Sequence, residues 1–89
     1  MNPIQVRKPS PQELKELGVD TWSPWSCEPS TFEWEYDEDE TAYVMEGRVT
    51  VQHAGGETEI NAGDLVVFPK GLQCVWTVHE TIRKVYTFK

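Results

Sequence analysis

From Thr31 onward, apolar and polar positions alternate with a period of two. Phe32, Trp34 and Tyr36 are interleaved with Glu33 and Glu35, the pattern of a strand with one buried face. Thr41 to Gln52 is rich in β-branched and aromatic residues. Glu57 to Asn61, Leu65 to Phe68, Gln73 to His79 and Thr81 to Phe88 follow as further short strands. His53-Ala54-Gly55-Gly56 reads as a hairpin connection whose glycines supply positive φ, and Ala62-Gly63-Asp64 and Pro69-Lys70-Gly71 turn the chain again. About six strands at spacings of roughly eight to twelve residues predict an all-β sandwich or barrel. Ahead of them, Ser10 to Gly18 predicts a helix over 11–17. Ser10 caps it, Pro11 takes the first position, Glu13 completes a capping box and Gly18 supplies a left-handed stop. Barely two turns cannot stand alone, so Leu14 and Leu17 are expected to pin the helix to the core. The chain, 1–89, thus reads as a single domain: an N-terminal strap over 1–30 and a β-barrel core over 31–89. It shows no internal repeat, linker or low-complexity tract.

With 89 residues, the fold buries only about two-thirds of the surface of its unfolded chain, so its core must be efficient. Four Trp, three Tyr and three Phe supply much area per residue, which suits a compact β-fold better than a long-helix bundle. A net charge of −7 lacks the basic footprint of a nucleic-acid binder and disfavours an anionic membrane surface. No apolar run is long enough to span a bilayer or to act as a signal peptide, so the expected location is cytoplasmic. Cys27 and Cys74 make at most one disulfide, and cytosolic thiols are usually reduced. They carry no CxxC or CxxH spacing for zinc.

Glu33, Glu35, Asp37, Glu38, Asp39 and Glu40 place six carboxylates in eight residues. Such a run can hold a hard cation, but it lacks the spaced oxygens and turn glycine of a calcium loop. A polar outer face followed by a solvated turn accounts for the first five.

Glu40 is set apart by the motif it opens. Glu40-Thr41-Ala42-Tyr43-Val44-Met45-Glu46-Gly47 has the E-x6-G spacing that ends the first cupin motif, and Gly63-Asp64-Leu65-Val66-Val67-Phe68-Pro69-Lys70-Gly71 has the G-x5-P-x-G of the second. The two occur in order, with a short glycine-bearing segment between, and span Trp34 to Val78. With its ending from Trp76-Thr77-Val78 through Arg83-Lys84-Val85-Tyr86, the chain resembles the small cupins grouped with the ureidoglycine aminohydrolases and the ethanolamine-utilisation protein EutQ. The resemblance implies a cupin double-stranded β-helix, or jelly-roll barrel, with a ligand pocket inside the barrel and often a homodimer.

The resemblance also implies a divalent metal held by H-x-H, the glutamate and a third histidine, and there this chain departs from it. Glu40 holds the glutamate position. The H-x-H falls on Trp34 and Tyr36 or, counted one residue back, on Glu33 and Glu35. The third histidine falls on Cys74, and the only histidines, His53 and His79, lie off the motif. Burying the Phe32–Trp34–Tyr36 face gains far more than burying two unpaired carboxylates, which would cost several kcal/mol, so Trp34 and Tyr36 are expected inward. Glu40 and Cys74 alone fall short of the three or four ligands of a zinc site. No cofactor is expected, with a divalent metal left open.

Strand parity places Glu40, Ala42 and Val44 on one face, Cys74, Trp76 and Val78 on another, and Ile82, Lys84, Tyr86 and Phe88 on a third. If the motif positions hold, these faces look into the barrel. The expected catalytic residues are Glu40, Cys74 and Lys84, in a pocket lined by Trp34, Tyr36 and Trp76 with Tyr43 at the rim. A carboxylate among aromatic rings can act as a general acid or base near neutrality, an effect that a neighbouring lysine reduces. Cys74 could be a nucleophile if a cation lowers its pKa, or a small buried hydrophobe. Lys84 could equally snorkel to the rim. Three functions remain: a small-molecule enzyme of hydrolase, isomerase or lyase type using Glu40, a non-catalytic module for a small polar metabolite, and a structural cupin with a filled barrel.

Overall fold

The structure, a computed structural model, describes residues 3–88; Met1, Asn2 and Lys89, at the ends of the expected strap and barrel, lie outside the described residues. Its elements are β1 (Gln5–Arg7), α1 (Pro11–Leu17), a 3-10 turn (Val19–Thr21), β2 (Ser23–Cys27), β3 (Ser30–Glu35), β4 (Glu40–His53), β5 (Gly56–Asn61), β6 (Leu65–Phe68) and β7 (Gln73–Phe88). The helix begins and ends where its signals place it. The Ser10 hydroxyl accepts from the Glu13 amide, and Gly18 closes it at φ +70°. The Glu13 carboxylate is held by the Arg7 guanidinium, which ties α1 to β1.

Two strands went unread in the strap. β1 pairs antiparallel with β6 and β2 with β7. β1 is only three residues long, and Pro24 interrupts the pattern of β2. Proline is tolerated there because β2 is an edge strand. At the other end of the chain, the two strands expected over 73–79 and 81–88 are one continuous β7.

β4 and β7 organise the fold. Both are long, and each half of each strand pairs with different neighbours. The first half of β4 pairs with β6 and with the second half of β7. The second half of β4 pairs with β5 and with the first half of β7. With β1 and β2 on the outside of one layer and β3 on the outside of the other, the sheet folds back on itself as two layers of a jelly roll, the all-β architecture that the strand spacing predicts. The bend lies at register shifts between Val44 and Val49, where bulges let a strand change layer. The buried set on β4 switches there from Glu40, Ala42 and Val44 to Val49 and Val51. The core between the layers is built from Val44, Val49, Val51, Ile60, Val66, Phe68, Trp76, Val78 and Ile82.

Gly47 sits in the bend at φ +103°. A Cβ there would lie 2.5 Å from the Thr81 carbonyl oxygen and 2.7 Å from Ile82 Cα, so the two long strands can cross only over a glycine. Gly47→Ala is expected to lose about 2–4 kcal/mol in urea unfolding, from backbone strain together with steric conflict. Gly56→Ala is the control: φ is +125° but nothing lies within 4 Å of the added carbon, so only strain of about 1–2 kcal/mol is lost. Equal losses at the two positions would contradict the close crossing.

Candidate active site

The second cupin-like turn fixes the entrance to β4. The Gly71 amide donates to the Tyr36 carbonyl at 2.7 Å and the Tyr36 amide to the Leu72 carbonyl at 3.0 Å. Asp39 Oδ1 accepts from the Lys70 amide at 2.7 Å. Asp39 therefore has a structural task that its place in a run of acidic residues does not announce. Glu33, Glu35, Asp37 and Glu38 are exposed, as a solvated face and turn require. Stapled in this way, the loop delivers Tyr36 and Glu40 into one end of the barrel.

That end holds a cavity of ≈ 150 Å³ lined by Trp25, Phe32, Trp34, Tyr36, Glu40, Trp76, Lys84, Tyr86 and Phe88. Its two charged groups are paired. Lys84 Nζ donates to Glu40 Oε2 at 2.7 Å, and the residues are 5% and 6% exposed. Around the ammonium stand Trp25 and Trp76, each with its ring centroid at 5.0 Å, and Phe68 and Tyr86 at 5.6 Å. Cation–π attraction offsets part of the lost hydration. Burial still pushes the Lys84 ammonium below its ordinary value, with the Glu40 charge and hydrogen bond opposing the shift.

The aromatic lining is a connected stack. Tyr36 lies flat on Phe68 at 4.7 Å, Phe68 meets Trp76 at 5.8 Å, and Phe32 stacks on Trp76 at 6.0 Å. Trp25 closes on Trp76 edge-on at 5.9 Å. Trp34 and Phe88, 53% and 52% exposed, stand at the opening. Among the described residues, Trp76 Nε1 is the one well-buried side-chain polar atom without a hydrogen-bond partner. It is close enough to the Tyr36 oxygen and the Cys74 sulfur to favour their ionised forms but bonds fully to neither.

The structure brings together Glu40, Lys84, Trp34, Tyr36 and Trp76 around one cavity, and separates two other candidates from it. Cys74 is buried, and its thiol faces the Trp34 carbonyl at 3.6 Å. Burial raises its pKa, and no cation stands beside it to make a thiolate nucleophile. Tyr43 is not part of the lining, because it has the opposite strand parity to the inward Glu40, Ala42 and Val44. Trp25, Phe32, Tyr86 and Phe88 complete the lining. The signal for Phe32, Tyr86 and Phe88 was present, since each shares strand parity with a residue that was named.

The donors at the motif positions do not fit a cupin metal centre. Glu40 is engaged by a fixed cation, the ammonium of Lys84, and Cys74 lies outside the cavity lining. Trp34 and Tyr36 stand where histidines would be, and burial and the Glu40 charge raise the Tyr36 phenol far above its ordinary value. His53 and His79 bond to Thr58 and Thr50. Among the described residues no three His, Cys, Asp or Glu side chains form a metal-binding group. No helix of the described residues is long and apolar enough to cross a membrane. Both cysteines are free thiols.

A jelly roll with this motif pair and an interior site at one end defines a cupin. Residues 14–86 match the family described as the EutQ-like cupin domain, and the chain belongs to it. It is similar to a DUF861-family protein of Thermotoga maritima, at 47% identity over 97% of this chain and 99% of that one, with a TM-score of 0.94. It is 30% identical over 57 residues to the acetate kinase EutQ of Clostridioides difficile strain 630, covering 64% of this chain and 36% of that protein. The structure of Clostridium difficile EutQ superposes with a TM-score of 0.65 at 27% identity, over 71% of this chain and 50% of the other. The chain thus spans about a third of the length of the curated relative it matches.

Tyr36 generates a sign-definite test of the electrostatics. Its raised pKa means that the folded chain keeps the phenolic proton where the unfolded chain, near pH 10, loses it. The stabilising contribution is complete below that value and drains away as pH rises above it. Above pH 10, the wild type is expected to lose stability about 1.4 kcal/mol per pH unit faster than Tyr36→Phe. Parallel pH–stability curves would contradict the buried placement of the hydroxyl.

Proposed function

We propose that the cavity takes a small carbonyl-bearing metabolite and that Glu40 moves a proton on it while Lys84 orients it. The observation that carries this reading is the buried Lys84–Glu40 pair opening onto the cavity. An ammonium has three donors, and Glu40 takes one. A carbonyl oxygen entering the cavity can accept another, and the positive charge then stabilises negative charge developing on that oxygen. The Glu40 carboxylate, within reach of the same space, accepts a proton from the carbon beside the carbonyl and returns it elsewhere, as isomerases and lyases do. The aromatic rings exclude water and present flat faces to the substrate.

The volume supports a compound of few heavy atoms, since a cavity of this order holds a benzene-sized molecule. Acetate, in the printed name of the curated relative, is of that size, whereas the nucleotide of a kinase has no room here. A second reading, binding without turnover, is favoured by the ion pair itself. Glu40 and Lys84 already satisfy one another, which suits a site that only orients a neutral ligand.

Both readings are tested with a small ketone, hydroxyacetone, in heavy water. Catalysis predicts shifts of the Trp25 and Trp76 indole resonances together with deuterium uptake at the carbons beside the carbonyl. Glu40→Gln should keep the shifts and lose the exchange by about a hundredfold or more. Shifts without exchange in the wild type would leave the binding reading alone, and no shifts with this or other small carbonyl compounds would overturn the site.

A further inference from the structure

We propose that Lys84 forms a covalent imine with a small aldehyde or ketone in the aromatic cavity, with Glu40 carrying the protons. The inference rests on the cavity being a site for small carbonyl compounds and goes beyond it in making Lys84 the nucleophile.

Three features of the geometry point to it. Lys84 lines the cavity although the residue is only 5% exposed, so its amine meets reactants through that chamber. Glu40 Oε2 is 2.7 Å from Nζ, close enough to receive the ammonium proton directly. The four rings within 5.0–5.6 Å make a dry environment in which an imine resists hydrolysis. Removal from water penalises the two charged forms more than the neutral amine and acid, and the attraction of the rings for the ammonium opposes part of that penalty. Burial lowers the basicity of Lys84, and Glu40 opposes this without being the larger influence. Each unit of lowered basicity raises the free-amine fraction near neutrality about tenfold. The other described lysines, Lys8, Lys15 and Lys70, are exposed, and Lys8 is held by Asp64.

The chemistry balances without any co-reactant. The Lys84 ammonium gives one proton to the Glu40 carboxylate, and the amine lone pair attacks the carbonyl carbon as the carbonyl π electrons move to oxygen. Glu40 returns its proton to that oxygen and takes a second proton from nitrogen, leaving a neutral carbinolamine. It then gives the second proton to the hydroxyl, which departs as water while the nitrogen lone pair forms the C=N bond. The product is a protonated imine facing the Glu40 carboxylate, so the positive charge that the site began with is preserved. A buried amine beside a proton carrier is the arrangement that activates lysine for this chemistry.

The test is reductive trapping on the intact protein. Propanal and sodium cyanoborohydride are added near neutral pH, and the adducts are mapped by peptide mass spectrometry. Lys84 should be labelled several-fold faster than Lys8, Lys15 or Lys70. 1-Naphthaldehyde, larger than the benzene-sized molecule that a cavity of ≈ 150 Å³ holds, should label only the exposed lysines. Glu40→Gln keeps an acceptor for Lys84 but cannot carry a proton, and should slow Lys84 labelling about a hundredfold. Labelling of Lys84 no faster than of the exposed lysines overturns the proposal. If propanal alone shifts the Trp25 and Trp76 indole resonances while Lys84 stays unlabelled, the imine falls and the cavity reading stands. If neither occurs, both fall.

Discussion

The Lys84–Glu40 ion pair is the constraint around which the barrel end is built. Two opposite charges out of water repay their desolvation only if they are close, well oriented and matched to their surroundings. Here the separation is 2.7 Å, and the rings of Trp25, Phe68, Trp76 and Tyr86 turn toward the ammonium. Those rings cannot close into a filled core while a lysine side chain and a carboxylate occupy its centre. The pair therefore both fixes the aromatic residues and holds the cavity open. It also engages the glutamate of the first cupin motif, Glu40, through the Lys84 ammonium.

The pair in turn depends on backbone devices far from any chemistry. Glu40 is the first residue of β4 and Lys84 lies in the second half of β7, so their meeting requires the two strands to run side by side in register. The bulges between Val44 and Val49 keep Glu40 inward while letting β4 pass into the other layer. Gly47 permits the strands to cross. Gly71 and Leu72 pin the approach to β4 through the Tyr36 backbone, and Asp39 pins it through the Lys70 amide. A change at any of these positions would act on the site through register rather than through contact with a ligand.

Much of this was legible in the sequence because strand parity and motif spacing are local properties. Alternation placed Tyr36 inward and Glu33 and Glu35 outward, and the E-x6-G spacing singled out Glu40, whereas Trp34, expected inward on the same face, ends half exposed at the opening. Parity on the last strand put Lys84 on an apolar face. What parity does not carry is the position along the barrel axis or the identity of a partner across the core. Cys74 shares its face with Trp76, yet its thiol ends under the Trp34 carbonyl instead of in the cavity. Whether Lys84 snorkels or pairs depends on four rings contributed by β2, β6 and β7, a relation that exists only after folding. β2 carries no clear alternation, because Pro24 interrupts it, and its edge position makes the proline tolerable. The switch of the buried set within β4 depends on bulges that leave no simple mark in the pattern of apolar residues.

The central claim is that Glu40 and Lys84 are a buried, mutually dependent pair, and a double-mutant cycle measures that dependence directly. Unfolding free energies in urea would be compared for the wild type, Glu40→Leu, Lys84→Met and the double variant near neutral pH. Each single change leaves one buried charge without its partner and is expected to lose about 3–5 kcal/mol. The double change removes both charges and should lie within about 1–2 kcal/mol of the wild type, giving a coupling of at least about 4 kcal/mol. Additive losses, with the double variant as unstable as the two singles summed, would contradict the account and leave Lys84 as a rim residue whose charge does not depend on Glu40.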